Sequence, residues 1–302
     1  MIPIDLLAFF DAALRNATPL AYGTVGETFS ERAGILNLGI EGTLYAGAFF
    51  GFAVAFWTGS LVVGVVAAVA VGVLAGTLMA LLTVTFGTNQ HVAGIGLTLG
   101  LIGISEFTNR LGFAQSATLP SITPFPLIDF LGLGVLNQYA LTYICFLLIV
   151  PLAWWLLNRT SFGLAVRAVG ENPEAADAAG ISVARTRYAA LMLGGGLMGL
   201  GGAFFTLATL GTFTLDIIAG RGWVCIALVI FGRWRIWPAV VGALIFAAVY
   251  SLQLRLQILP GWDAVPFELL LALPYLIIIG ALALSGRNVA YPGAYLKPYR
   301  RS

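Results

Sequence analysis

Long apolar runs alternate along this chain with short polar joints, and the runs show no alternation of period two. A bilayer crossing needs about 20 apolar residues. On that measure the pattern predicts helices over 38–57 and 61–85, joined by a tight turn at Thr58-Gly59-Ser60. Further spans are expected over 91–110, 136–157, 188–210, 216–232, 236–256 and 266–285. Residues 4–26 are interrupted by Asp5, Asp11 and Arg15 and fit either a crossing or an amphipathic helix on the membrane surface. The crossing is favoured, so about eight or nine helices cross. The fold class is an all-α polytopic membrane protein, a single transmembrane domain over 1–302, and its location is a multi-pass position in a membrane. A β-barrel would show ~10-residue alternating segments instead.

Within the runs, small residues recur every fourth position: Gly64, Ala68, Gly72, Gly76 and Ala80, then Gly195, Gly199 and Ala203, and also Gly96 and Gly100. Such spacing lets helices approach closely in lipid. Three places put polar groups against this apolar background. Asn37 and Glu41 bracket Gly39 in "ERAGILNLGIEG", which reads either as a broken helix lining a pathway or as a turn leading into a helix. Asn89 and Gln90 in "GTNQHVAG" suit either a polar ligand or a helix cap. Glu106 and Arg110, four apart, are expected to pair along one helix face.

One joint is itself a helix. In "AVGENPEAADAAGISVARTRY", Asn172 then Pro173 form a helix start. Glu171, Glu174 and Asp177 place acids early, and Ala175, Ala176, Ala178 and Ala179 favour helix. Gly180 stops it. About two turns result, too short to stand alone, and the alanines offer a flat docking face.

Composition and charge narrow the class. Of the 302 residues 60% are hydrophobic and 9% charged, too few charges to cover a water-facing surface. Placing 158–187 in the cytoplasm puts Arg32, Arg159, Arg167, Arg185, Arg187, Arg233, Arg235, Arg287, Lys297, Arg300 and Arg301 on that side, with the C-terminus. Arg110, Arg221 and Arg255 fall outside, and the 111–135 loop there has no Lys or Arg. The start lacks the cationic region of a cleaved signal and reads as mature sequence. Cys145 and Cys225 read as small buried hydrophobes. Lys297 is the one lysine, so a phosphate-binding G-x-x-x-x-G-K-[ST] loop is excluded. No catalytic or metal-ligating constellation is evident around the one histidine, His91, and no basic run fits nucleic acid. The chain is a conduit, not an enzyme.

"RAVGENPEAADAAGISVARTRY" resembles the cytoplasmic coupling segment of ABC importer permeases, and "GETFSERAGILNLGIEGTLYAGA" resembles the N-terminal signature of the branch with ribose, branched-chain amino acid and nucleoside importers. "TNQHVAGIGLTL", "GRGWVCIALVIFGRWRIWPAVVGALIF" and "LPYLIIIGALAL" fit the nucleoside and simple-sugar subgroup. Arg235-Ile236-Trp237-Pro238 departs from that subgroup's proline-first pattern.

The resemblance implies a type II-like permease in the inner membrane of a prokaryote, binding no cofactor itself. ATP and Mg would sit on a separate ABC ATPase, seated against 171–180. A second, homologous permease and an extracytoplasmic solute-binding lipoprotein would complete the system, and the solute would be a nucleoside. A simple sugar or another small polar solute is the alternative. An ion-coupled secondary transporter is the alternative from another class, with Glu41 and Glu106 as its ionisable groups.

Overall fold

The computed structural model describes residues 6–114, 119–129, 137–257, 265–285 and 290–299. Residues 4 and 5, Leu136, parts of the 111–135 loop, and Arg287, Arg300 and Arg301 lie outside the described residues.

Helices follow the apolar runs. They are α1 (Leu6–Arg32), α2 (Ile40–Thr58), α3 (Leu61–Thr85) and α4 (Gln90–Phe113). A two-stranded hairpin follows, β1 (Leu127–Asp129) and β2 (Asn137–Tyr139), antiparallel with Ile128 opposite Gln138. Then come α5 (Ala140–Arg159), α6 (Ser161–Glu171), α7 (Pro173–Ala178), α8 (Val183–Leu210), α9 (Arg221–Phe231), α10 (Ile236–Leu256) and α11 (Phe267–Ser285).

Six helices, α2, α3, α4, α5, α8 and α10, are long and apolar enough to cross a membrane. α1 has the length, about 40 Å at 1.5 Å per residue, but carries Asp11, Arg15, Glu27, Glu31 and Arg32. The expected span 216–232 is corrected. Its helix holds 11 residues, because Gly211, Ala219 and Gly220 take positive φ and keep 211–220 out of helical geometry.

Burial separates centre from rim. Across the apolar stretch, 78% of α2 and of α8 is buried, against 28% of α3 and of α4. α8 is the axis on which α1, α2 and α3 pack. Its glycines make that possible. A Cβ on Gly195 would lie on the carbonyl oxygen of Gly72, and one on Gly47 would lie on that of Gly199. Backbones this close admit no side chain, so the small-residue stripes of α3 and α8 are one crossing seen from two sides. The α4 stripe is different: among the described residues nothing lies within 4 Å of a Cβ built on Gly96 or Gly100. The aromatic core sits beside this crossing, where Phe213 meets Tyr45 and Phe49 edge-on at 5.3 and 5.1 Å.

Gly195→Val forces α3 and α8 apart and should cost at least about 1–3 kcal/mol. Gly100→Ala displaces nothing and should leave stability equal or higher, by up to about 1 kcal/mol. Thermal unfolding of the detergent-purified chain compares the two. Equal melting temperatures would refute the close crossing.

Candidate functional site

The short helix α7 stands at the end of the bundle where α1 finishes and α8 begins. Its start is capped by Asn172, whose Oδ1 accepts the N–H of Ala175 at 3.0 Å, with Pro173 first in the helix. Its end closes through Gly180 at φ +84°: Gly180 N–H donates to Asp177 O, and Ile181 N–H to Ala176 O, both at 2.9 Å. That pair of bonds, with Ile181 packed near Ala176, is the glycine-terminated helix stop known as a Schellman motif.

Helical spacing then sorts the alanines. Ala176 is buried against Val169 and Val183, with Ala168, Ile181 and Tyr299 beside it. Glu174, Ala175, Ala178 and Ala179 face outward and are exposed. The docking face expected from the alanines is therefore narrower by Ala176, which anchors α7 to its own chain. Glu171, Asn172 and Gly180 are exposed, and Pro173 and Asp177 half-buried.

Two supports for α7 were not evident in the sequence pattern. The first is α6, an amphipathic helix capped by Thr160, whose hydroxyl accepts Gly163 N–H at 3.1 Å. Its inward residues Gly163, Val166, Val169 and Gly170 recur at helical spacing, a signal hidden among polar neighbours. The second is the tail, 290–299. Ala294 N–H donates to Gly170 O at 2.8 Å, and Leu296 N–H to Gly34 O at 3.2 Å. Glu171 Oε2 accepts Gly293 N–H at 3.1 Å, and its Oε1 lies 3.6 Å from the Arg32 guanidinium. The Tyr299 hydroxyl donates to Asp177 Oδ2 at 3.2 Å. The tail thus straps α6 and α7 to the end of α1.

Beneath the strap lies a buried polar node. Glu27 and Glu31 are fully buried on α1. Trp234 Nε1 donates to Glu31 Oε2 at 2.6 Å, and Tyr291 and Tyr295 pack on the Trp234 ring at 4.9 and 6.0 Å. Burial, with Glu31 and Glu27 behind it, raises the Tyr295 phenol above its ordinary range, so it remains a proton donor. Arg187, expected in a polar joint, is instead buried in α8, and its Nε donates to Ala33 O at 3.1 Å.

These groups hold the buried break between α1 and α2, residues 33–39. Glu27 Oε1 accepts Asn37 N–H at 2.9 Å, Asn37 Oδ1 accepts Gly39 N–H at 3.0 Å, and Gln90 Oε1 accepts Leu36 N–H at 2.9 Å. Thr98 Oγ1 donates to Leu38 O at 2.9 Å. Glu41, one residue into α2, reaches across to α9. Its two oxygens accept the N–H groups of Gly220 and Gly222 at 2.8 and 2.7 Å. A carboxylate here meets the positive end of the α9 dipole. Asn37, Glu41 and Gln90 are thus brought together round one break. Asn89 is not: it is exposed and caps α4, accepting His91 and Val92 N–H. Glu106 accepts the Tyr45 hydroxyl at 3.4 Å; among the described residues it forms no ion pair with Arg110, and the ion pair found there is Arg32–Glu171.

Long apolar helices around a buried helix break define a polytopic membrane protein built for passage rather than for chemistry. Comparison with known proteins states the class. Residues 9–282 match the family described as branched-chain amino acid transport system, permease component, and the chain belongs to that family. It is similar to a putative glucose ABC transporter permease of Haloferax volcanii, 37% identical over 82% of this chain and 77% of the relative. It is similar to a nucleoside ABC transporter permease of Lactococcus lactis, 34% identical over 89% of each chain. A guanosine ABC transporter permease of Bacillus subtilis is 33% identical over 91% of this chain and 90% of its own. No solved structure matches the chain. The chain is thus a multi-pass permease subunit of the plasma membrane. In this family ATP hydrolysis belongs to a separate ATPase, and a binding protein delivers the solute.

Glu41→Gln replaces one acceptor oxygen with an amide that can only donate, so one backbone N–H of α9 loses its partner. The expected loss is about 1–3 kcal/mol, read as a lower melting temperature of the purified chain. An unchanged melting temperature would show that Glu41 does not hold the start of α9.

Proposed function

We propose that this chain is the pathway subunit of an ATP-driven importer for nucleosides, and that α7 is its coupling helix. The observation that carries the coupling assignment is a short helix, capped at both ends and anchored by Ala176, that leaves Ala175, Ala178 and Ala179 exposed. A smooth rigid knob of this kind suits a cleft in a separate ATPase, where ATP and Mg would be bound. Residues 171–180 lie on the cytoplasmic side, and the C-terminal tail with them, because the arginines concentrate at that end. Eight helices cross, with α1 and α11 added to the six long apolar ones. The solute passes the 33–39 break, framed by Asn37, Glu41 and Gln90, with Asn89 at the start of α4. A solute-binding lipoprotein delivers it at the 111–135 side. A second, homologous permease completes the pathway.

The nucleoside reading is supported by two relatives named for nucleosides and guanosine. A simple sugar is the second reading, favoured by the relative named for glucose.

Closure of the ATPase would push α7, and the push would reach α1 and α2 through α6 and the tail. Solute can follow only through different affinities in the two states. Ala178→Arg places a bulky charge on the outward face. We expect it to lower ATP-dependent uptake of labelled guanosine at least ten-fold (about 1.4 kcal/mol) while the chain inserts and assembles normally. Ala176→Arg should instead dislodge α7 and lower the melting temperature. Normal uptake with Ala178→Arg would overturn the coupling assignment. Loss of glucose uptake but not guanosine uptake on deleting the chain would leave the coupling and replace the solute.

A further inference from the structure

At the opposite end of the bundle from α7, a cavity of about 220 Å³ opens between α1, the last turn of α8 and the start of α9. Two arginines line it, Arg15 and Arg221, with Asn16, Thr209, Phe204 and Phe205. Among the described residues neither arginine is ion-paired. Arg15 donates through NH2 to the backbone oxygen of Asn137 at 2.9 Å, its guanidinium lies 5.7 Å from the Tyr139 ring centre, and its Nε is buried without a partner. Arg221 donates to Ile217 O, Ile218 O and the Tyr250 hydroxyl, and lies over the Phe205 and Tyr250 rings at 5.1 and 5.2 Å.

Two acids near the cavity, Glu41 and Asp11, accept hydrogen bonds from other groups. Glu41 feels the charge of Arg221 across the start of α9, but its two oxygens hold Gly220 and Gly222. Asp11 accepts from Gln138. The hydrogen bonds and ring contacts of both guanidiniums are thus with neutral groups, in a bundle where an unpaired charge is costly. Each guanidinium carries five donors, and those engaged leave several over. Planar forks of this kind match phosphate and carboxylate.

We propose that this cavity is an oxyanion site that takes a phosphate ester, either a free one or the headgroup of an anionic lipid. Arg15 and Arg221 grip its oxygens, and the aromatic rings wall the remainder. The assignment is independent of which solute the transporter carries.

The test uses the full chain in phosphatidylcholine nanodiscs. One arm titrates glycerol phosphate by calorimetry. The other mixes in phosphatidylglycerol and reads retained lipid by native mass spectrometry. Binding in the first arm assigns a free phosphate ester, and retention in the second assigns a lipid headgroup. In either case Arg15→Gln and Arg221→Gln should weaken it about ten-fold or more, the worth of one charge-assisted hydrogen bond. Arg221→Lys should fall between, keeping the charge and losing the fork. In the wild-type chain the bound probe should also protect Arg15 and Arg221 from phenylglyoxal, mapped by peptide mass, which decides the matter if a Gln variant fails to fold. No binding in either arm, equal binding by folded Gln variants, or no protection overturns the proposal.

Discussion

The backbone between Arg32 and Ile40 leaves helical geometry inside the bundle, and that break is the constraint on which the rest depends. A chain buried away from water must satisfy each peptide group from within the protein. Here side chains from three other elements and the backbone of the tail supply partners: Glu27 from α1, Gln90 and Thr98 from α4, Arg187 from α8, and Leu296 N–H. The polar residues that look out of place in apolar helices are the ones the break requires. Their positions follow from its geometry, and they fix α1, α4 and α8 in turn.

A second break answers the first. The irregular 211–220 segment ends at Gly220, where α9 begins, and Glu41 bridges that start from α2. Gly222 sits so close that a Cβ there would lie 2.6 Å from a Glu41 carboxylate oxygen. Two interrupted elements therefore meet at one carboxylate, which is how a bundle can contain irregular backbone without exposing it. The glycine crossing of α3 on α8 gives the frame against which these breaks are held. Its closest contacts are backbone on backbone, which leaves little room to rearrange.

Much of this was legible in advance. Apolar run length located α2, α3, α4, α5, α8 and α10, because backbone satisfaction in lipid leaves helix as the default. Asn172-Pro173 and Gly180 located both ends of α7, because caps are local chemistry. What depended on distant partners was not legible. Ala176 and Ala178 are identical in the sequence and opposite in the fold, since α6 and the tail decide which one is covered. Gly96 and Gly100 have the spacing of Gly195 and Gly199 but meet no neighbour among the described residues. Glu106 lay one turn from Arg110, yet it meets Tyr45 from α2. Glu27, Glu31 and Trp234 carry no local signal, because a carboxyl at the end of an apolar helix resembles an ordinary boundary until its indole partner, 203 residues away, is known.

The tail changes how α7 can act. A two-turn helix joined to the bundle by flexible ends would absorb a push by bending its own hinges. This one has no such slack. Its N-terminal side runs from α6, whose Gly170 backs directly onto the Arg32 carbonyl, and its far side is tied through Asp177 and Tyr299 to the tail. The tail is tied in turn to Gly34, the first turn of the break, and to the Trp234–Glu31 contact. A displacement of α7 is therefore shared among α1, the break and the α9–α10 joint at once. These ties are hydrogen bonds and ring contacts of modest individual strength. They can exchange partners without unfolding the helices they connect, whereas the glycine crossing beside them cannot. The exchangeable ties thus lie on the polar side of the bundle, with the breaks, and the close glycine crossing lies on the apolar side as the rigid part of the frame.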